Sequence, residues 1–157
     1  MMIKQPTSRN CFMCGRENDI GLKMNWYNDY ELQQIWGELI VPNGFNGYPG
    51  VVHGGIVAAI LDETSGRALM LKDNEDGLTV TTRLEIKYHQ PTPTGQLLRA
   101  VGWIRKASHR GAHVAGEIRL ADGTVTAKCE ATVIHPPREF FERWGWAAEV
   151  PDWRVEE

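Results

Sequence analysis

Residues 53–71 read HGGIVAAILDETSGRALML, and this stretch decides the fold. It contains no proline, it is rich in Ala and Leu, and its apolar residues recur at three- and four-residue spacing: Ile56, Val57, Ile60, Leu61 and Ala68. That spacing predicts an α-helix. Because the helix is so apolar, we expect the rest of the protein to cover it on nearly every side.

The segments on both sides of this helix alternate apolar and polar residues, as β-strands do. Strands are predicted at 22–26 and 33–41 before the helix, and at 78–88, 96–106, 113–120 and 124–134 after it. Residues 42–50 are rich in glycine and proline and predict a loop. Asp122-Gly123 is typical of a two-residue hairpin turn. One antiparallel sheet curved around one central helix accommodates this order, which predicts an α+β fold.

The strand predicted at 78–88 bears on the site. Strict alternation places Leu84, Ile86 and Tyr88 on one face of the strand and Thr81 on the other face. Thr82, as the neighbour of Thr81, would lie on the face that does not carry Thr81.

A length of 157 residues favours a single domain. Its core is expected at about residues 20–134, with an N-terminal extension at 1–19, loose over its first ten residues, and an aromatic tail at 135–157. The tail contains five aromatic residues: Phe140, Phe141, Trp144, Trp146 and Trp153. We expect it to form a flap or helix that packs on its own domain or on a partner subunit. The alternative is a lid over a binding pocket.

The composition argues against several classes of protein. There are 17 Lys+Arg against 20 Asp+Glu, and a net charge of −3 does not suit a general nucleic-acid binder. The sequence has no apolar run long enough to span a bilayer and no apolar signal core at its start, so we expect a soluble, cytoplasmic protein without membrane association.

The cysteines are Cys11, Cys14 and Cys129. An odd number without a secretion signal does not indicate a disulfide framework. The pair Cys11-Phe-Met-Cys14 could form half of a zinc site, but a closed site needs four ligands. A thioredoxin-like pair would stand between a strand and a helix, whereas Gly15 and Asn18 follow here. The favoured interpretation is a turn with small buried thiols, and no metal or cofactor is expected.

Two features of the helix point to chemistry. Gly54 and Gly55 stand at its start, where backbone N–H groups lack partners within the helix and the dipole is positive. They form a candidate oxyanion hole, and the alternative is a tight turn. Asp62, two turns further on, is costly to bury unpaired and so suggests a function. Its neighbour Glu63 is instead assigned to an i, i+4 ion pair with Arg67.

The spacing of these features predicts an oligomer. Gly55 and Asp62 are seven residues apart, or about 10 Å along a helix axis, so one chain cannot bring both to the same carbonyl group. A stripe of small residues on the helix would allow close approach of a second helix or a slender ligand; with Asp62 it consists of Gly55, Ala58, Ala59, Ser65 and Gly66. We therefore expect a homodimer or a dimer of dimers, with each site at a subunit interface.

These residues resemble a known family. The order of elements, HGG at the start of the helix, Leu61-Asp62 within it and the later Tyr88-His-Gln-Pro91 together resemble the hotdog-fold acyl-CoA thioesterases, notably the phenylacetyl-CoA type and the mammalian mitochondrial thioesterase-superfamily branch. The resemblance covers roughly residues 11–134. It implies a hotdog fold and hydrolysis of acyl-CoA to a carboxylic acid and CoA, without a cofactor.

The resemblance also implies roles for individual residues. Asp62 would be the nucleophile or the general base, Gly55 would donate its N–H to the thioester carbonyl, Thr81 would assist Asp62, and His53 would support the loop. Gly54 and Asn46 would contact the substrate, although the loop at 47–50 shifts the register of Asn46. Between residues 83 and 110 there are six Lys and Arg residues and one acid. The resemblance assigns three of the six, Arg105, Lys106 and Arg110, to the CoA phosphates together with His109.

Two other functions remain open on the same fold. A dehydratase or hydratase acting on acyl thioesters would use a histidine in a His-Phe-Pro context, whereas His53 is followed by two glycines. A non-catalytic acyl-CoA-binding protein is the other alternative.

Overall fold

The computed structural model describes residues 2–72 and 79–144. Its long helix, α1, spans Gly54–Arg67 and continues as a 3₁₀ turn over Ala68–Lys72. The helix predicted at 53–71 is therefore confirmed, with its last turn wound more tightly. The N-terminus is capped by His53, whose side chain accepts a hydrogen bond from the Gly55 N–H.

Nine strands and a second helix complete the described part of the chain. They are β1 (Met2–Lys4), β2 (Tyr27–Asp29), β3 (Gln34–Ile40), β4 (Asn46–Tyr48), β5 (Val51–Val52), β6 (Val80–Tyr88), β7 (Leu97–Ser108), β8 (Gly111–Leu120), β9 (Val125–Ile134) and α2 (Arg138–Trp144). Seven strands form one antiparallel sheet in the order β1-β2-β3-β7-β8-β9-β6, and β4 pairs with β5.

Three of the predicted local structures are wrong. Residues 22–26 are not a strand, because Leu22 and Met24 donate their N–H groups to carbonyls in the 11–14 turn instead of to a neighbouring strand. Residues 2–10 are not loose: β1 pairs with β2, and Gln5 is buried against Asn28 at 2.7 Å. The loop at 42–50 contains a 3₁₀ turn (Asn43–Phe45) and strand β4.

The sheet packs its inner face on α1. Val57, Ile60 and Leu61 of the helix are buried against it. The approach is close at Gly102 in β7, where an added Cβ would lie 2.6 Å from the Thr64 carbonyl oxygen. A strand without a side chain at this point lets the helix lie near the centre of the sheet.

The small-residue side of α1 is not covered by residues 2–72 and 79–144 of its own chain. Gly54 and Gly55 are exposed, and Ala58, Ala59 and Asp62 are only half-buried. Among the described residues of a single chain, the prediction that the helix is covered on nearly every side therefore fails, because the sheet covers it from one side.

Strand β6 lies at the edge of the sheet and contains a bulge. Thr81 pairs with Val133 and Arg83 with Thr132, so Thr82 is an extra residue without a partner in the register. The extra residue reverses the alternation, and Thr81 comes to the inner face that Leu84 shares. The prediction from strict alternation, which put Thr81 on the opposite face, is wrong for this reason.

The tail begins as helix α2, in keeping with one of its predicted forms. Trp146 and Trp153 lie outside the described residues. Within the described ranges, neither helix has the length and apolar character needed to cross a bilayer.

Candidate active site

The first part of the site is a hydrogen-bonded pair that joins α1 to β6. Thr81 donates its hydroxyl to Oδ1 of Asp62 at 2.7 Å. A hydroxyl that bonds one oxygen of a carboxylate fixes the orientation of the group, while the other oxygen keeps its lone pairs for a water or a substrate. Asp62 is half-buried and Thr81 is exposed, so the pair is open to solvent on one side.

The neighbouring acid has the structural role that its spacing predicts. Glu63 accepts a hydrogen bond from the Nε of Arg67 at 2.7 Å, one turn along α1. Arg67 is 5% exposed and also lies 4.4 Å over the ring of Trp26. The prediction that Glu63 pairs with Arg67 is confirmed.

The second part of the site is the Gly54–Gly55 peptide at the start of α1. Its N–H, on Gly55, donates to Nδ1 of His53 at 2.9 Å, and its carbonyl, on Gly54, accepts from the hydroxyl of Tyr88 at 2.7 Å. One peptide unit is thus held at both ends. Because Nδ1 accepts, the proton of the neutral imidazole is on Nε2.

This arrangement refines the predicted role of Gly55. The Gly55 N–H, which is the predicted oxyanion donor, has a hydrogen-bond partner within the protein, the imidazole of His53. His53 caps the helix as well as bordering the loop.

A cavity of about 620 Å³ opens beside this peptide. His53 and Gly54 lie on its wall together with mostly apolar residues, among them Tyr48, Val51, Val57, Tyr88 and Pro91. Asn46 does not line it: this residue is exposed in β4, opposite Val52. Neither Tyr48 nor Tyr88 is among the site residues predicted from the sequence, although Tyr88 begins the Tyr-His-Gln-Pro segment.

The predicted phosphate-binding residues separate into two groups. Lys106 and Arg110 line a second cavity, of about 360 Å³, together with His113. Arg105 is the extra residue of a bulge in β7 and pairs instead with Glu130 at 3.1 Å.

His109 is exposed in the β7–β8 turn and is not among the residues that line this cavity. Val133, which lies opposite Thr81 in the sheet register, does line it. The basic cavity is therefore at the Asp62–Thr81 end of β6, and the apolar cavity is at the Tyr88 end.

Comparison with known families identifies the domain. A family model described as "Thioesterase superfamily" matches residues 49–127. The chain belongs to the thioesterase superfamily. The matched range begins just before β5 and runs through α1, β6, β7 and β8 into β9, so it includes Asp62, Gly55 and Thr81.

Curated relatives in the superfamily are similar over part of their length. Acyl-coenzyme A thioesterase THEM4 of Mus musculus is 32% identical over 88 residues, which are 56% of this chain and 36% of that protein. THEM4 of Rattus norvegicus matches to the same extent. The alignment thus spans about a third of the length of these relatives.

Solved structures of the thioesterase superfamily share the fold. The superfamily protein RHA08564 is 29% identical with a TM-score of 0.73, covering 81% of this chain and 61% of that one. The phenylacetic acid degradation-related protein of Ralstonia eutropha JMP134 is 23% identical with a TM-score of 0.62, covering 69% and 80%. An antiparallel sheet around one long helix, in a chain of this superfamily, is the hotdog fold, as predicted.

Proposed function

We propose that the protein hydrolyses acyl-CoA thioesters to a carboxylic acid and CoA. The observation that carries this proposal is the 2.7 Å hydrogen bond from Thr81 to Asp62, which holds a carboxylate at a solvent-accessible position on the central helix of a thioesterase-superfamily domain. Relatives named acyl-coenzyme A thioesterases support the choice of substrate.

The chemistry needs only groups that the chain supplies. As a general base, Asp62 takes a proton from a water whose oxygen attacks the thioester carbonyl carbon; as a nucleophile, it attacks that carbon itself and water then releases the acid. In either case the negative charge on the carbonyl oxygen is stabilised by the Gly55 N–H. Collapse of this intermediate breaks the C–S bond, which in the nucleophilic route happens before water attacks the resulting anhydride, and the CoA sulfur leaves as a thiolate that takes up a proton.

We further propose that each site is shared between two chains. Asp62 and Gly55 are about 10 Å apart along one helix, and the Asp62–Thr81 pair and the apolar cavity share no lining residue. The uncovered small-residue side of α1 offers a surface for a second copy. Among the described strands β6 pairs only with β9, so its outer edge is available for a partner strand.

The basic cavity is assigned to the phosphates of CoA. The double variant Lys106→Ala/Arg110→Ala is expected to raise KM for acyl-CoA about 10-fold with little change in kcat, because these cations bind a part of the substrate that does not react. The measurement is steady-state kinetics on acyl-CoA and on the corresponding acyl-pantetheine, which lacks the nucleotide and should be unaffected.

Arg105→Ala is the matched control, since this arginine pairs with Glu130 outside the cavity. Its KM should stay near the wild-type value. If the double variant weakens acyl-CoA and acyl-pantetheine equally, the cavity does not bind the nucleotide.

Tyr88 is proposed as a positioning residue for the Gly54–Gly55 peptide. Tyr88→Phe removes one neutral hydrogen bond, worth about 1 kcal/mol, so kcat is expected to fall about 5-fold with a smaller change in KM. The control is Tyr48→Phe, which removes a hydroxyl from the other tyrosine of the same cavity. Equal losses in both variants would indicate a general effect on the cavity rather than on the peptide.

The proposed activity is tested with a panel of acyl-CoAs and a dye that reports released thiol. Hydrolysis that depends on Asp62 supports the proposal. Hydration of an enoyl-CoA without thiol release would favour the hydratase alternative, and binding by calorimetry without turnover of any acyl-CoA would favour a binding protein.

A further inference from the structure

The N-terminal turn brings two thiols together against α1. The Sγ atoms of Cys11 and Cys14 and a carboxylate oxygen of Glu63 all lie within 4.8 Å of one another. The turn is closed by the Gly15 N–H, which donates to the Cys11 carbonyl at 2.7 Å. A Cβ at Gly15 would lie 2.5 Å from the Arg9 carbonyl oxygen, so only glycine allows the turn to close this tightly.

Both sulfurs accept hydrogen bonds from the protein. The Met13 N–H donates to Cys11 Sγ at 3.3 Å, and the Ser8 N–H donates to Cys14 Sγ at 3.3 Å. The guanidinium of Arg67 also donates to Cys14 Sγ at 3.3 Å. Donors and a positive charge around the two sulfurs favour the loss of one of the pair's two protons.

The two thiols differ in the way that an attacking and a resolving cysteine differ. Cys11 is half-buried and Cys14 is completely buried. A hydrogen bond from the Cys14 thiol lowers the pKa of Cys11 to about 6, although burial opposes the shift. The same bond, together with burial, raises the pKa of Cys14. Both shifts favour the thiolate on the accessible sulfur and the proton on the buried one.

A metal ion fits this cluster less well than thiol chemistry does. Arg67 already donates to both Glu63, at 2.7 Å, and Cys14, and it is buried with its charge over Trp26. A divalent cation bound to the same groups would lie beside a buried guanidinium and would deprive it of its partners. The three groups also fall one short of a closed tetrahedral zinc site.

We propose that Cys11 and Cys14 are a reversible dithiol–disulfide site that reacts with low-molecular-weight disulfides such as oxidised glutathione. The Cys11 thiolate attacks one sulfur of the small disulfide, whose S–S bond breaks and releases one thiolate. Cys14 then loses its proton to that thiolate, and its sulfur attacks Cys11 Sγ and displaces the second thiolate. The two protein sulfurs are oxidised by two electrons, and the small disulfide is reduced to two thiols.

This site is distinct from the proposed hydrolytic site but contacts the same helix. Glu63 follows Asp62 directly, and Arg67 anchors the turn to the end of α1 through Cys14, Gln5 and the Pro6 carbonyl. Formation of the disulfide removes the thiol proton and weakens Cys14 as an acceptor for Arg67.

The test is a redox titration of the full-length protein. Samples are equilibrated at a series of ratios of reduced to oxidised glutathione, quenched in acid, alkylated, and analysed by intact mass and peptide mapping. We expect the alkylated thiols to fall from three to one in a single two-electron transition, with Cys11 and Cys14 joined. Cys129→Ala, which removes a buried thiol outside the pair, should show the same transition.

Two cysteine variants test the assigned order of attack. Cys14→Ser should stop at a mixed disulfide that carries one glutathione on Cys11, whereas Cys11→Ser should leave the buried Cys14 unmodified. The midpoint of the pH dependence of Cys11 alkylation should rise from about 6 towards the ordinary value of ~8.5 in Cys14→Ala.

Three results would overturn the proposal. They are three free thiols at every glutathione ratio, oxidation only to disulfides between chains, and one equivalent of zinc in the purified protein that protects both cysteines from alkylation. None of these readouts depends on thioester hydrolysis, so the redox site and the proposed activity succeed or fail separately.

Discussion

Replacement of Asp62 by Asn is expected to lower kcat for acyl-CoA hydrolysis by about 10²–10⁴-fold. Asparagine preserves the shape of the side chain, but it can neither take a proton from water nor attack the thioester as an anion. Thr81→Ala should cost less, roughly 10-fold, because Thr81 orients the carboxylate through the 2.7 Å hydrogen bond and does not react. The measurement is steady-state kinetics, with circular dichroism to confirm folding.

Each of these variants has a neighbour as its control. Glu63→Gln changes the adjacent acid, which pairs with Arg67, and should leave turnover nearly intact with a slight loss of stability. Thr82→Ala removes the adjacent hydroxyl, which bonds to the Thr132 carbonyl rather than to Asp62, and should also retain activity. A folded Asp62→Asn protein that turns over acyl-CoA at the wild-type rate would show that Asp62 is structural.

A mixture of two inactive variants is expected to regain about a quarter of the wild-type activity. One variant is Asp62→Asn. The other is Gly55→Pro, which removes the proposed oxyanion donor, an N–H that donates to the His53 side chain and to no carbonyl of the helix. If each site combines Asp62 of one chain with Gly55 of the other, a heterodimer has one intact site of two, and random exchange makes half of the dimers mixed.

The outcome distinguishes shared sites from separate ones. Activity should appear only after subunit exchange, and light scattering should report a dimer or a dimer of dimers. If Asp62 and Gly55 of the same chain formed each site, no combination would restore one, and the mixture would stay inactive. Recovery at wild-type level in a monomeric protein would contradict the shared-site proposal.

Most of the fold could be predicted from residues close together in the sequence. The helix at 53–71 can be predicted because its apolar residues recur at the helical period. Strands β7, β8 and β9 can be predicted because their apolar and polar residues alternate. The ion pair between Glu63 and Arg67 was predicted because an i, i+4 spacing brings side chains together on any helix.

The N-terminal segment shows where local pattern was insufficient. Residues 2–4 form a strand because they pair with the edge of β2, at Tyr27–Asp29. Gln5 is buried because the side chain of Asn28 and the Arg67 carbonyl accept its hydrogen bonds. None of these partners is near in sequence. A polar segment can therefore be ordered by long-range hydrogen bonds that its own composition does not reveal.

The sequence by itself determined the helix that carries Gly55 and Asp62, which follows from periodicity, and it predicted the hotdog fold and the thioesterase family through the resemblance of its motifs to that family. Only the tertiary structure decided that Thr81 faces Asp62. That contact depends on a bulge at Thr82, and the extra residue is visible only in the pairing of β6 with β9. The tertiary structure likewise decided that Tyr88 and His53 hold one peptide from both ends, since Tyr88 is 34 residues from Gly54 and only the folding of β6 over the start of α1 joins them.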